Sequence, residues 1–355
     1  MNGDHVGGAR VISLRARRSD HDITNTVQVS DWRAAWEAVH DIFVSLYPRE
    51  QHRVLRRAFA DFDELFAGRT PGYLGCDTVY HDIQHTLDMT LAMARLIQGH
   101  ELSSASGDRL GSGRATLGII TSLFHDSGYI RHAADEGHLN GAEFTTVHVE
   151  RSAQFIDKYL ASIGLSPAAR VARQIVHFTG YEVRFDQIAV DRSRDRRLGH
   201  LLGTADLMAQ MADRCYLEKC RDRLYKEFVL GGVAVENSKP GEYMVRYKSG
   251  QDLLQKTPVF YQQVMRDRLN LKFNRAYRYI EVLYDGHNPY IEAIRNNITH
   301  LVRIISTANW ALLRREPPYF LGVMDAVHEV ESYVSEQLAA LTGRAVEKDE
   351  LLMPV

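Results

Sequence analysis

The sequence predicts an all-α protein. Apolar residues recur at helical spacing along most of the chain, and three of those segments open on a capping residue or a cap followed by proline: Ser30-Asp31, Ser166-Pro167 and Asn288-Pro289. Strand-like patterning is confined to residues 231–250, where Val-Ala-Val and Tyr-Met-Val-Arg-Tyr flank Ser-Lys-Pro-Gly and predict a short β-hairpin. No Pro/Gly/Ser-rich linker divides the chain and no repeat is visible.

The elements follow in order. Residues 1–25 are Gly- and Arg-rich without a period and predict a flexible tail. Helices are expected at about 30–46, stopped before Pro48, and at 50–66. Gly68, Pro71, Gly72 and Gly75 make a loop, and a third helix is expected from near Tyr80 to about Gly99. Residues 115–125 are apolar nearly all round, as suits a central helix, and a loop rich in Gly, His and Asp follows. Further helices are expected at 144–163, 166–178 and, as one long rod, 194–228. Thr257-Pro258 and Asn288-Pro289 predict two more helix starts, and a last helix is expected at 319–341. The organisation read from this is a tail (1–25), a helical domain (26–230) and a helical extension (231–355) packed on the same core.

Composition narrows the function. The chain has 355 residues, with 43 Lys plus Arg against 45 Asp plus Glu, so it lacks the basic surplus of a nucleic-acid binder. Its 3 cysteines are too few and scattered for a disulfide framework or a thiolate zinc site. No apolar run approaches the ~18 residues of a membrane span, and the N-terminus has no secretory pattern, so a cytoplasmic location is expected. The 16 histidines stand out against the cysteines.

Several of those histidines pair with aspartates in apolar helical contexts. His81, His85 and Asp88 are spaced i, i+4, i+7, which on one helix gives a shared face and lets Asp88 orient His85. His125 and Asp126 end the apolar helix. Adjacent residues diverge by about 100° on a regular helix, so a shared ion requires an irregular end, which Gly128 would permit. His148, His177 and Asp206 follow on predicted core helices. Imidazoles with carboxylates suit hard-to-borderline divalent metals, and six ligands with Asp126 as a bridge suit two ions.

This ordered set resembles the HD-domain superfamily of metal-dependent phosphohydrolases. His85…His125-Asp126…Asp206 is similar to the superfamily signature. Tyr80-His81-Asp82-x-x-His85-x-x-Asp88 resembles a motif of its cyclic-nucleotide phosphodiesterase branch, with Asp82 where that branch has Asn. His148 and His177 resemble the extra ligands of two-metal HD proteins. The resemblance covers about residues 50–230 and implies an HD helical bundle with additional C-terminal helices. It implies two divalent ions (Mn, Mg, Fe or Zn) held by His85, His125, Asp126, His148, His177 and Asp206. His81 would be the general acid toward a nucleotide-type phosphate ester, cyclic esters included. Arg131, His132 and Arg151 are candidate phosphate contacts, and apolar C-terminal helices could pair two copies. The same ligands also resemble di-iron HD oxygenases, and a non-catalytic nucleotide-binding HD module is a third reading.

Overall fold

The computed structural model describes residues 17–50, 52–239, 242–320 and 325–342. The fold is predominantly α-helical, as expected, with a single two-stranded sheet among the described residues. Its centre is α3 (Ile83–Ser103), buried on almost every side. Thr86 and Thr90 sit in that interior because each hydroxyl donates to the carbonyl four residues back. Packed around α3 are α1 (Trp32–Leu46), α4 (Ser112–Phe124) and α7 (Ser193–Ala212), together with the 3₁₀ segment Ala276–Leu283. That segment crosses at Gly99, where a Cβ would lie 1.8 Å from the Tyr279 carbonyl oxygen, so only glycine allows the crossing.

α2 (Arg53–Phe66) lies against α1 and α4, and the hairpin of α5 (His148–Ser162) and α6 (Ser166–Val176) closes the other side. The long rod expected over 194–228 is broken: α7 stops at Asp213, and α8 (Tyr216–Lys219) runs through a π-helical turn, Cys220–Leu224, into α9 (Tyr225–Leu230). The expected hairpin is present as β1 (Val235–Lys239) and β2 (Glu242–Val245), antiparallel. Then come α10 (Gly250–Gln263), a second π segment (Val264–Lys272), α11 (Pro289–Thr307) and α12 (Asp325–Thr342). One hydrophobic cluster runs from Ile23 to Leu338, so the extension shares the core of the rest. No helix among the described residues is long and apolar enough to cross a membrane.

Some boundaries differ from expectation for local reasons. Asp31, not Ser30, caps α1, accepting from Arg33 N. Asn288 caps α11 as read, accepting from Ile291 N. Thr257-Pro258, by contrast, lies inside α10, which Ser249 caps instead. Thr257 Oγ1 donates to Leu253 O, 2.9 Å away, as the helix continues through the proline. Residues 319–320 are outside α12, which begins at Asp325.

The described part of the expected tail is anchored. Asp22 is fully buried, accepting from Arg95 Nη2 at 2.6 Å, from Thr24, and from the amides of Thr26 and Val27. Arg95 also donates to Tyr290 Oη, so residues 17–25, α3 and α11 meet at one buried ion pair. Burial alone would raise the Asp22 pKa, but the Arg95 charge and these hydrogen bonds win and lower it to about 2. A pKa below its unfolded value of 3.8 adds stability above that pH, which is lost as pH falls through the folded value. In urea unfolding, the stability gap between wild type and Asp22→Asn should be constant above about pH 5 and shrink by about 2 kcal/mol towards pH 2. A gap that does not shrink would remove this role for Asp22.

Candidate metal centre

Four helices bring the central polar group together. His85 stands in the first turn of α3, behind its cap Asp82, whose Oδ1 accepts from His85 N at 2.9 Å. His81 therefore precedes the helix, and the single face expected for His81, His85 and Asp88 does not form. Asp88 lies instead among Asp22, Arg17, Asp213 and Arg95, and burial together with the Asp22 charge raises its pKa to about 7.

His125 ends α4 in helical conformation, while Asp126 leaves it at φ −105°, ψ 9° into the 3₁₀ turn Ser127–Tyr129. This is the irregular end that the His-Asp pair required. Gly128 serves it by close approach: a Cβ there would lie 1.9 Å from the His148 carbonyl oxygen. Its amide donates to Ser152 Oγ at 2.8 Å, and its carbonyl accepts from Arg151 Nε at 2.8 Å. The first turn of α5 is thereby seated on the His-Asp turn. Asp206 faces the group from the middle of α7.

Asp126 Oδ2 lies 3.2 Å from His125 Nε2 and 3.5 Å from His85 Nε2, and Asp206 Oδ1 lies 3.8 Å and 3.4 Å from the same two nitrogens. The other Asp126 oxygen faces His148 Nε2 at 3.8 Å. His125 Nδ1 is 2.8 Å from Ser122 O, and His148 Nδ1 is 2.7 Å from Thr145 O. A carbonyl only accepts, so each ring carries a proton on Nδ1, and a neutral ring turns an Nε2 lone pair toward the carboxylates. His125 Nε2 and Asp126 Oδ2 are buried with no hydrogen-bond partner. Lone pairs and carboxylate oxygens facing one another demand positive charge.

The titration shifts express the same demand. Burial would lower the His125 pKa, yet the Asp126 carboxylate raises it to about 9. Burial likewise opposes ionisation of Asp126, and the facing imidazoles hold its pKa far below the usual carboxylate range. Burial keeps His148 neutral, at about 4, against the pull of Asp126. His85, His125 and Asp126 offer ligand atoms within 4.8 Å of one another, the nitrogen and oxygen donors that a divalent cation takes. The residues fit a metal.

Two carboxylates that the sequence reading missed build the surroundings. Glu227, 1% exposed at the side chain, accepts from Tyr80 N at 2.6 Å and His81 N at 3.3 Å, and lies 2.5 Å from His81 Nδ1. Burial would lower the His81 pKa, but the Glu227 charge raises it to about 9. Thr78 Oγ1 donates to His81 O, so both ends of that residue are held. Glu182 accepts from Val149 N and Glu150 N, capping α5 from another loop, and lies 3.5 Å from His148 Nδ1. The Tyr129 ring is stacked between His81 and His148, at 4.6 and 4.3 Å between centroids.

The other expected residues are placed elsewhere. His177 ends α6 with Nε2 3.5 Å from Glu150 and does not join the Asp126 group. Arg131 pairs with Asp77 and donates to His138 O. Arg151 bonds Gly128 O, Ile130 O and Asp135. His132 lies beside Tyr73, 4.4 Å between ring centroids. The two arginines thus hold the loop after Asp126, and their hydrogen bonds go to protein groups.

A family model described as Npun_R2479-like matches residues 134–302, a little under half of the chain. That match spans His148, His177, Asp206 and Glu227, and begins after His125 and Asp126. No curated protein and no solved structure matches. The likeness to HD proteins therefore rests on the residues themselves.

The close seat of α5 on the His-Asp turn can be tested directly. Gly128→Ala should lower stability by about 2 kcal/mol or more and weaken Mn²⁺ binding, since its Cβ meets backbone rather than a yielding side chain. Calorimetric titration with Mn²⁺ and a thermal melt check this. Unchanged binding with an unchanged melt would show that the approach is not needed.

Proposed function

We propose that the protein is a metal-dependent phosphohydrolase that cleaves a nucleotide-type phosphate ester. The observation that carries this reading is the convergence of His85, His125, Asp126 and Asp206 on one buried point, with a separately held imidazole, His81, beside it. His85, His125, Asp126 and Asp206 would hold one divalent cation. Asp126 presents its second oxygen to His148, which supports a second, bridged position. Bound cations supply Lewis acidity, which acidifies water and offsets charge on phosphoryl oxygens.

The chain's own residues do the rest. Departure of an alkoxide needs a proton, and His81 is built to hold one. Glu227 can only accept, so it keeps the Nδ1 proton and leaves Nε2 to deliver the other. Tyr129, stacked on His81, holds the ring against rotation, and Thr78, bonded to the His81 carbonyl, holds its backbone. An oxygenase has no leaving group to protonate, so this assembly favours hydrolysis.

The test is phosphate or nucleoside monophosphate release from a panel of cyclic and linear phosphate esters with Mn²⁺ or Mg²⁺, run with and without oxygen. Asp126→Ala should lose bound metal and all measurable turnover. His81→Gln should keep its metal but lose on the order of 10²–10⁴ in rate on esters with alkoxide leaving groups, and much less on p-nitrophenyl esters. Turnover that requires oxygen and releases no phosphate product would overturn the hydrolytic reading. Equal loss on both ester types would overturn the role of His81.

A further inference from the structure

The loop between α6 and α7 carries a side chain that the reaction above does not use. Tyr181 on that loop is 64% exposed. An exposed tyrosine on a loose loop would mean little, but this backbone is held on both sides of Tyr181. Arg268, 8% exposed, donates Nη2 to Phe178 O at 2.7 Å and Nη1 to Gly180 O at 3.0 Å. Gly180 is pressed on Val149, where a Cβ would come within 2.5 Å of Cγ2. On the far side, Glu182 is fixed by the amides of Val149 and Glu150. The ring is therefore presented on a rigid mount.

That mount stands at the metal centre. Glu182, the next residue, lies 3.5 Å from His148 Nδ1. One face of the ring is taken: the Arg268 guanidinium carbon sits 4.2 Å from its centroid. With most of the residue exposed, the other face is open. A large ring held rigidly with one open face adds little to the core.

We propose that Tyr181 is a stacking platform for a flat aromatic ring on the substrate, a nucleobase joined to the phosphate that the metal centre holds. This rests on the phosphohydrolase reading and adds the part of the substrate that the metals do not touch. Stacking on an aromatic side chain contributes on the order of tenfold or more in affinity per ring and tolerates any base, because every base has a π-face. Tyr181 should therefore separate ring-bearing from ringless phosphates, and hardly separate one base from another.

The experiment is calorimetric titration of the full-length, Mn²⁺-loaded chain with adenosine monophosphate and with ribose 5-phosphate, which differ by the ring alone. Wild type should bind the nucleotide about tenfold tighter or more. Tyr181→Ala should bring the two within about twofold, with ribose 5-phosphate unchanged, and Tyr181→Phe should restore the preference. Equal binding of the two phosphates by wild type overturns the platform alone, as does a preference that survives in folded Tyr181→Ala. If neither phosphate binds the loaded wild type, the phosphohydrolase reading fails and the platform with it.

Discussion

The Asp126 carboxylate is surrounded by imidazoles in the interior of the bundle, and the remaining architecture is arranged to meet what that requires. One oxygen faces His85 and His125, the other faces His148, and Asp206 faces the same two nitrogens of His85 and His125. Two buried carboxylates far from water are costly unless positive charge is placed between or beside them. Meeting that need takes four helices, α3, α4, α5 and α7, whose ends or middles must reach one point. The packing permits it because small residues stand where backbones touch: Gly128 under the first turn of α5, and Gly99 where Tyr279 crosses α3.

Around this point lies a layer of buried charge with a different task. Glu227 and Arg223, one turn apart, clasp the segment leading into α3: Glu227 takes the Tyr80 and His81 amides, and Arg223 lies 3.6 Å from Asp82 and bonds the carbonyls of Pro317 and Pro318. Glu182 does the same for the start of α5. The Asp22–Arg95–Tyr290 group serves assembly, tying the first described residues to α3 and α11. Buried charge in this protein thus has two uses, one to aim side chains and one to fix the order of packing.

The sequence was most informative where chemistry and local geometry coincide. His125-Asp126 announced itself because an ionisable pair at the end of an apolar helix needs a reason, and the irregular turn it implied is present. His148 and Asp206 could be added because each interrupts an apolar pattern, and His85 by its spacing from His81 and Asp88; the structure brings His85 and His148 to the Asp126 carboxylate and Asp206 to His85 and His125. His81 was placed on the wrong side of a helix start, since Asp82 in the role of cap is not visible from periodicity. Glu227 was invisible for another reason: it pairs with His81 across 146 residues, and no local pattern marks such a contact. Lys226 stands beside it and Arg221, Asp222 and Arg223 precede it, so no apolar run sets it off in the sequence. Arg131 and Arg151 looked like phosphate contacts by proximity, but loop carboxylates and carbonyls engage them first.

The π-helical turn at Cys220–Leu224 has a consequence for how such a site can arise. A π turn is what one extra residue leaves in an α-helix that absorbs it without unravelling. Each added residue rotates everything beyond it by about 100° about the axis. Arg223 and Glu227 stand within and just past that turn, so their aim at the approach to α3 depends on it. A single codon gained in this helix would swing a carboxylate from one side of the rod to another while leaving the helices before it in place. The His81–Glu227 pair could thus be acquired, or lost, in one insertion or deletion step, without any change to the residues that face the metal.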